Sequence, residues 1–127
     1  MDAGTEEILN RFDQSWTATQ LFYNDLIDNN PELENLIPLY LFIQKLKKAG
    51  GNRTFRLGTS KQDLVFSRSL EPELRPDQKF IAVQANGNSF IVSFRDGLKL
   101  HKEYRIKDLD DELLKGLLQT LKNVLAD

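Results

Sequence analysis

The only histidine of the chain, His101, lies in the segment SFRDGLKLHKEYRI and is the first residue to consider for catalysis. A general base needs a partner or a substrate group within hydrogen-bond distance. The nearest carboxylate along the chain, Glu103, is two residues away on a strand-like segment, about 7 Å at the backbone. Lys102 and Arg105 flank that carboxylate and oppose a cation. The pattern therefore favours neither a catalytic histidine nor a metal site here.

Two other polar segments could do chemistry, and neither has the required pattern. The acids Asp108, Asp110, Asp111 and Glu112 have no glycine for the sharp turn of a calcium loop and no distal bidentate acid. Carboxylates at the start of a helix complement its dipole, which explains them more simply. The glycines of GGNRTFRLG are not followed by the Gly-Lys-Ser/Thr of a phosphate-binding loop. We therefore assign no catalytic residue, no metal site and no cofactor, and keep a hydrolase of unknown type as a residual alternative.

Length and composition predict one soluble domain spanning residues 1–127. The chain is 40% hydrophobic and 28% charged, which is typical of a globular protein. It lacks cysteine, so it can form neither a disulfide nor a thiolate metal site. No apolar run approaches the ~18 residues of a membrane span. The beginning, MDAGTEEILNRF, is acidic where a signal peptide would be basic and then apolar, so we expect a cytoplasmic protein.

The net charge of −2 conceals an uneven distribution along the chain. Residues 1–38 carry a net charge of −7, whereas residues 39–69 carry +6. Residues 95–107 carry +3, and residues 108–127 carry −3. Acidic ends and a basic middle allow one face of the molecule to be basic despite the small total charge.

Helical patterns occupy the two ends of the chain. Apolar residues from Ile8 to Leu26 follow helical spacing, although SWTAT is rich in poor helix formers and could divide this segment into two helices. A short helical turn is expected at 32–36. A second helix is predicted from Pro38 to Ala49, with three lysines in its last turn before Gly50-Gly51. The last helix, within 108–127, buries a stripe of Leu114, Leu118, Leu121 and Leu125 that is widened by Leu113, Leu117 and Val124.

Five strand-like segments between residues 53 and 106 predict an antiparallel meander. A two-residue Asn86-Gly87 turn would place Val83 opposite Phe90. A three-residue Arg95-Asp96-Gly97 turn would place Phe94 opposite Leu98 and Val92 opposite Leu100, which is then buried. Both turns agree on one apolar face. The fold class is therefore α+β: N-terminal helices, a five-stranded antiparallel meander sheet, and a C-terminal helix packed on one sheet face.

The opposite, open face of the sheet is the candidate binding site. It mixes long cations at its edge with small and apolar side chains near its centre, an arrangement that favours an acidic partner. A merely solvated sheet face would show the same mixture. The predicted binding residues are Arg56, Phe80, Gln84, Ile91, Ser93, Arg95, Lys99, His101 and Arg105.

These patterns favour a non-enzymatic protein-interaction domain that is adaptor, chaperone-like or inhibitor-like in kind. Its expected partner is another protein, acidic in character, or a second copy of the chain, and not a membrane. The alternative is a nucleic-acid-binding protein that uses the same basic strip of the sheet. Phe80 is the only aromatic residue expected on that face, too few for the base stacking of single-strand binders. The order of elements occurs in many unrelated domains, so the fold does not assign the function.

Overall fold

The order of elements in the computed structural model, which describes residues 3–69, 78–97 and 99–124, confirms the predicted α+β class. Helix α1 spans Ala3–Asn29, a 3₁₀ helix spans Pro31–Leu36, α2 spans Ile37–Lys48 and a second 3₁₀ turn spans Gly51–Arg53. The strands are β1 (Arg56–Ser60), β2 (Asp63–Ser67), β3 (Lys79–Asn86), β4 (Ser89–Asp96) and β5 (Lys99–Ile106), and α3 spans Glu112–Lys122. The five strands form one antiparallel sheet in meander order, β1-β2-β3-β4-β5.

Helix α1 is a single helix of 27 residues and is not interrupted at SWTAT. The poor helix formers of that segment are retained because tertiary contacts compensate for their low propensity. Trp16 is fully buried, and the hydroxyl of Ser15 donates a hydrogen bond of 2.5 Å to the carbonyl oxygen of Phe12. Within the described residues, no helix is both long and apolar enough to cross a membrane.

Three hydrogen bonds attach α1 to the β1 side of the sheet. The backbone N–H of Leu57, in β1, donates to the hydroxyl oxygen of Ser15 at 2.9 Å. The indole N–H of Trp16 donates to the carbonyl oxygen of Phe55 at 2.8 Å. The hydroxyl of Tyr23 donates to the carbonyl oxygen of Gln62, in the β1–β2 turn, at 2.9 Å. Among the strands that the structure describes, β1 and β5 are the two outermost, and α1 covers β1.

The hydrophobic core lies on one face of the sheet, between the strands and all three helices. Phe66 lies near its centre and makes edge-to-face contacts with the rings of Trp16, Phe42 and Phe55. We call this side of the sheet the inner face and the opposite side the outer face. The buried residues of α3 are Leu114, Leu117, Leu118 and Leu121, as predicted from their spacing. Leu113 is exposed instead of buried, and Leu125 lies outside the described residues.

The helix α3 begins at Glu112, four residues after the first acid of the predicted segment. Asp111 is its N-cap, and its carboxylate accepts a hydrogen bond from the backbone N–H of Leu113 at 2.9 Å. Asp108 lies in the preceding loop, where its carboxylate accepts from the backbone N–H of Asp110 at 3.0 Å. These acids therefore organise a loop and a helix cap, as their side-chain chemistry favours.

The β3–β4 hairpin confirms the predicted faces but not the predicted turn. Gly87 and Asn88, rather than Asn86 and Gly87, form the two-residue turn. Gly87 has a φ of 62° at the first central position, as a type II′ turn requires. Val83 consequently pairs with Val92, two residues from its predicted partner. A displacement of two residues leaves every side chain on its predicted face, because side chains alternate with a period of two.

The β4–β5 hairpin differs more from the prediction, and its three-residue turn is wrong. Asp96 pairs with Lys99 and Arg95 with Leu100, around a two-residue turn that begins at Gly97. Leu100 therefore shares the outer face with Arg95, and the predicted burial of Leu100 is wrong because its side chain is 45% exposed. Lys99 lies on the opposite face, so its predicted place on the outer face is also wrong.

A β-bulge then restores the predicted alternation along the rest of β5. Phe94 pairs with Lys102, although its neighbour Arg95 pairs with Leu100, so His101 is the additional residue of the bulge. Beyond the bulge the pairs continue regularly to Phe90 opposite Ile106. The turn residue Leu98 and the side chain of His101 lie outside the described parts of the chain.

Candidate functional site

Strand pairing brings most of the predicted binding residues together on the outer face. One row across the sheet runs Arg56, Ser67, Phe80, Arg95 and Leu100, and the next runs Gly58, Val65, Ala82, Ser93 and Glu103. A third row contains Gln84, Ile91 and Arg105. Of the predicted residues, only Lys99 is displaced to the other face among those whose side chains are described.

The centre of the outer face is buried, although the sequence predicts that this face is open to solvent. Val65 is 4% exposed, Ser67 is 2% exposed and Ser93 is 9% exposed. None of the three belongs to the core on the inner face. These three positions offer a partner little accessible surface, whereas the exposed residues of the face include Gln84 of β3 and Leu100, Glu103 and Arg105 of β5.

We define the β4–β5 patch as the exposed residues Leu100, Glu103 and Arg105 together with the half-buried Ile91 and Arg95. Arg95 and Leu100 form a directly opposed pair at one end of the patch, and Ile91 and Arg105 form another at the other end. Glu103 lies between them and accepts a hydrogen bond of 3.4 Å from the buried hydroxyl of Ser93. Each end of the patch thus combines one guanidinium group with one apolar side chain.

The two arginines of this patch are not neutralised by carboxylates within the described part of the chain. Arg105 donates one long hydrogen bond of 3.5 Å to the hydroxyl oxygen of Ser89. The ion pairs between described residues lie elsewhere, on the helices and in the loop before α3. Guanidinium groups of this kind can donate hydrogen bonds to a carboxylate of a partner without first breaking an internal ion pair.

A second surface, the α2 groove, was not anticipated from the sequence. It is an open groove of about 800 Å³ on the helical side of the molecule, between α2, the β3–β4 turn and the loop that follows β5. The buried side chains of Phe42, Phe90 and Leu109 contribute to its lining. Ile37 and Leu41, one helical turn apart on α2, form an exposed ridge along one wall.

One ion pair bridges the groove between α2 and the loop before α3. The ammonium group of Lys45 donates to the carboxylate of Asp110. This hydrogen bond, together with the charge of Lys45, lowers the pKa of Asp110 below its ordinary value. Both side chains are largely exposed, so the pair orients the loop more than it stabilises the fold.

The sequence does contain a signal for the α2 groove. The segment IPLYLFI places Leu39, Phe42 and Ile43 toward the core and leaves Ile37 and Leu41 on the other side of the helix. A helix that is apolar around its circumference predicts burial on more than one side. Packing against the core explains Leu39, Phe42 and Ile43 but not the apolar residues Ile37 and Leu41 on the other side of α2.

Titratable groups with shifted pKa values lie away from both surfaces or serve structural contacts. Burial, with a smaller effect of Asp63, raises the pKa of the Tyr23 hydroxyl above its ordinary value. Burial also raises the pKa of Asp63, against the opposing charge of Lys61. Over the residues that the structure describes, no group of three or more His, Cys, Asp or Glu side chains is arranged to hold a metal ion.

Comparison with known proteins adds no functional assignment. No protein-family model matches the chain, and no curated protein and no solved structure matches it significantly. The functional inference consequently depends on the two surfaces described above.

Proposed function

We propose that the chain is a non-enzymatic protein-interaction domain that binds an acidic segment of another protein through the β4–β5 patch. The observation that carries the proposal is the pairing of Arg95 with Leu100 and of Arg105 with Ile91 across neighbouring strands. Arginine beside an accessible apolar side chain is a combination enriched in protein interfaces and at their hot spots.

The positions of the charges specify what such a segment should contain. The pairs at the two ends of the patch are two rows apart, about 13 Å along the strands. An extended segment matches this separation when two carboxylates are four residues apart. Glu103 lies between the two arginines and repels a carboxylate at the middle position. We therefore expect an acidic residue at each end and a polar or basic residue between them.

The test is capture of a partner from native lysate by the immobilised protein, followed by mass spectrometry. We expect one stoichiometric acidic partner with the wild-type protein and its loss with the double variant Arg95→Glu/Arg105→Glu. The matched control is Lys99→Glu/Lys102→Glu, which makes the same charge change in the same hairpin, on the other face. Retention of the partner by the arginine variant, or no partner at micromolar concentration, contradicts the proposal.

Nucleic-acid binding through the same face is the alternative to the proposed protein interaction, and a second experiment distinguishes the two. Phe80 is the only aromatic side chain on the outer face of the described strands, and it is half-buried. Glu103 also places a negative charge in the middle of the accessible patch. Labelled single- and double-stranded DNA provide the probes. Steeply salt-dependent binding that is lost in Arg95→Glu/Arg105→Glu would replace the proposal by this alternative.

A further inference from the structure

Helix α2 and the residues before it present an exposed apolar ridge with opposite charges at its two ends. Ile37 is 40% exposed and Leu41 is 55% exposed. Pro38 lies between them in sequence and also lines the groove. Glu34 lies at the N-terminal end of this ridge and Lys45 at its C-terminal end. An exposed apolar strip bordered by charged residues is a common feature of protein-interaction surfaces.

The ridge lies beside the α2 groove, so the same surface contains both an apolar ridge and a groove. The groove extends from α2 to the β3–β4 turn, where Gly87 and Asn88 form its opposite wall. Helices pack by inserting the side-chain ridge of one helix into the groove beside another. A surface that carries both features can therefore pack against a copy of itself, each ridge entering the groove of the other molecule.

The charges on the ridge are arranged for a two-fold symmetric contact. Glu34, in the 3₁₀ helix, and Lys45, in α2, carry opposite charges at the two ends of the ridge, with Ile37, Pro38 and Leu41 between them. When two such ridges pack antiparallel about their exposed apolar residues Ile37 and Leu41, Glu34 of each molecule faces Lys45 of the other. Such a contact is isologous, because each residue pair occurs twice and the assembly closes at two copies.

We infer that the α2 groove is a homodimer interface, occupied by α2 of a second copy of this chain. The inference does not depend on the β4–β5 patch, which is on the opposite face of the sheet. Fourteen of the residues that the structure describes line the groove, fewer than the ~20–30 residues that each partner contributes to a standard interface. We therefore expect a weak, reversible dimer with a dissociation constant on the order of 10 μM.

The first test measures self-association by sedimentation equilibrium between about 1 μM and 1 mM protein. The wild-type chain should convert from monomer to dimer over this range, and Leu41→Glu should weaken the dimer at least about tenfold by placing a carboxylate in an apolar contact. The matched control is Leu21→Glu, the same change at an exposed leucine of α1. A wild-type chain that is monomeric at 1 mM, or an equal effect of the two variants, overturns the inference.

The second test examines the antiparallel geometry through the charges. Glu34→Lys alone sets lysine against lysine in the homodimer, and Lys45→Glu alone sets glutamate against glutamate. Each variant should therefore dimerise about tenfold more weakly than the wild type. An equimolar mixture of the two should form a heterodimer, because lysines in one chain then face glutamates in the other. Failure of the mixture to associate more strongly than either variant alone overturns the antiparallel contact.

A further control separates the proposed contact from the ion pair within each chain. Lys45 already binds Asp110 of its own chain, so Lys45→Glu also breaks that interaction. Asp110→Asn breaks it without changing the ridge, and should leave dimerisation within about twofold of the wild type. Weakening by Asp110→Asn equal to that by Lys45→Glu would show that the loop, and not the α2 contact, controls association, and would overturn the inference.

Discussion

Substitution of Ser15 by alanine should detach α1 from the edge of the sheet at one defined point. The hydroxyl oxygen of Ser15 accepts the backbone N–H of Leu57 at 2.9 Å, and both residues are buried. In Ser15→Ala that N–H loses its acceptor at a site shielded from water. An unsatisfied buried donor costs about 1–3 kcal/mol. Alanine regains up to about 0.5 kcal/mol through its higher helix propensity. The net loss of unfolding free energy should thus be about 0.5–3 kcal/mol.

The matched control is Thr17→Ala, at an exposed position two residues further along the same helix. The hydroxyl of Thr17 makes only a long bond of 3.5 Å to the carbonyl oxygen of Asp13. Its removal should change stability by less than about 0.5 kcal/mol, in the stabilising direction. Urea denaturation followed by circular dichroism gives both values.

Hydrogen exchange of the Leu57 amide tests the same hydrogen bond directly at that residue. Its protection should fall in Ser15→Ala and stay unchanged in Thr17→Ala, because only the first variant removes the acceptor of that amide. Equal stabilities for the two variants, or unchanged protection of Leu57, would refute the account of how α1 covers β1.

Three further predictions concern α3, β5 and the buried tyrosine. Leu118→Ala should cost about 2–5 kcal/mol in urea denaturation, whereas Leu113→Ala, at an exposed position of the same helix, should cost less than about 1 kcal/mol. Leu100→Ala should also cost less than about 1 kcal/mol, and a larger loss would contradict the bulged register of β5. Because burial raises the pKa of Tyr23, stability should be constant with respect to this group below pH ~10 and fall as the pH rises above it. Tyr23→Phe should remove that part of the alkaline loss, and identical pH profiles between about pH 8 and 11 would contradict the shift.

The inner face of the sheet could be predicted because its pattern repeats at every second residue. The alternation places Val83 and Val92 on the buried face, and the structure confirms both although their strands are joined by a different turn from the predicted one. The apolar pattern constrains only the face of each residue, and a displacement of two residues does not alter the face. Asn86-Gly87 suits a type I′ turn and Gly87-Asn88 suits a type II′ turn. Turn preferences alone therefore do not decide between the two positions of the turn.

The bulge in β5 could not be predicted from alternation, because a bulge interrupts the alternation itself. The segment LKLHKEYRI has an apolar residue at every second position except Lys102, and this pattern predicts Leu100 on the inner face. The extra residue at His101 places Leu100 on the outer face. The candidate patch consequently gains an accessible apolar side chain in place of Lys99.

The burial at the centre of the outer face and the α2 groove depend on contacts between distant segments. The sequence indicates that Ser93 alternates away from the core, but not that its side chain is almost inaccessible. The groove is built from α2, the β3–β4 turn and the loop after β5, which are separated by tens of residues. Local periodicity carries no information about how closely such segments approach, whereas it did identify most of the residues of the outer face.

The two outermost strands of the described sheet are protected from pairing with other molecules in different ways. This difference determines which partly unfolded state is prone to aggregate. Strand β5 carries a bulge and the cations Lys99, Lys102 and Arg105, features that discourage the addition of a strand from another molecule. Strand β1 carries one cation, Arg56, and no bulge in its pairing with β2, and it relies on α1, through Ser15, to occupy the amide of Leu57. A molecule in which α1 has separated while the sheet persists would therefore expose β1 as a template for intermolecular strands. Conditions that loosen α1 should promote aggregation before the sheet itself unfolds.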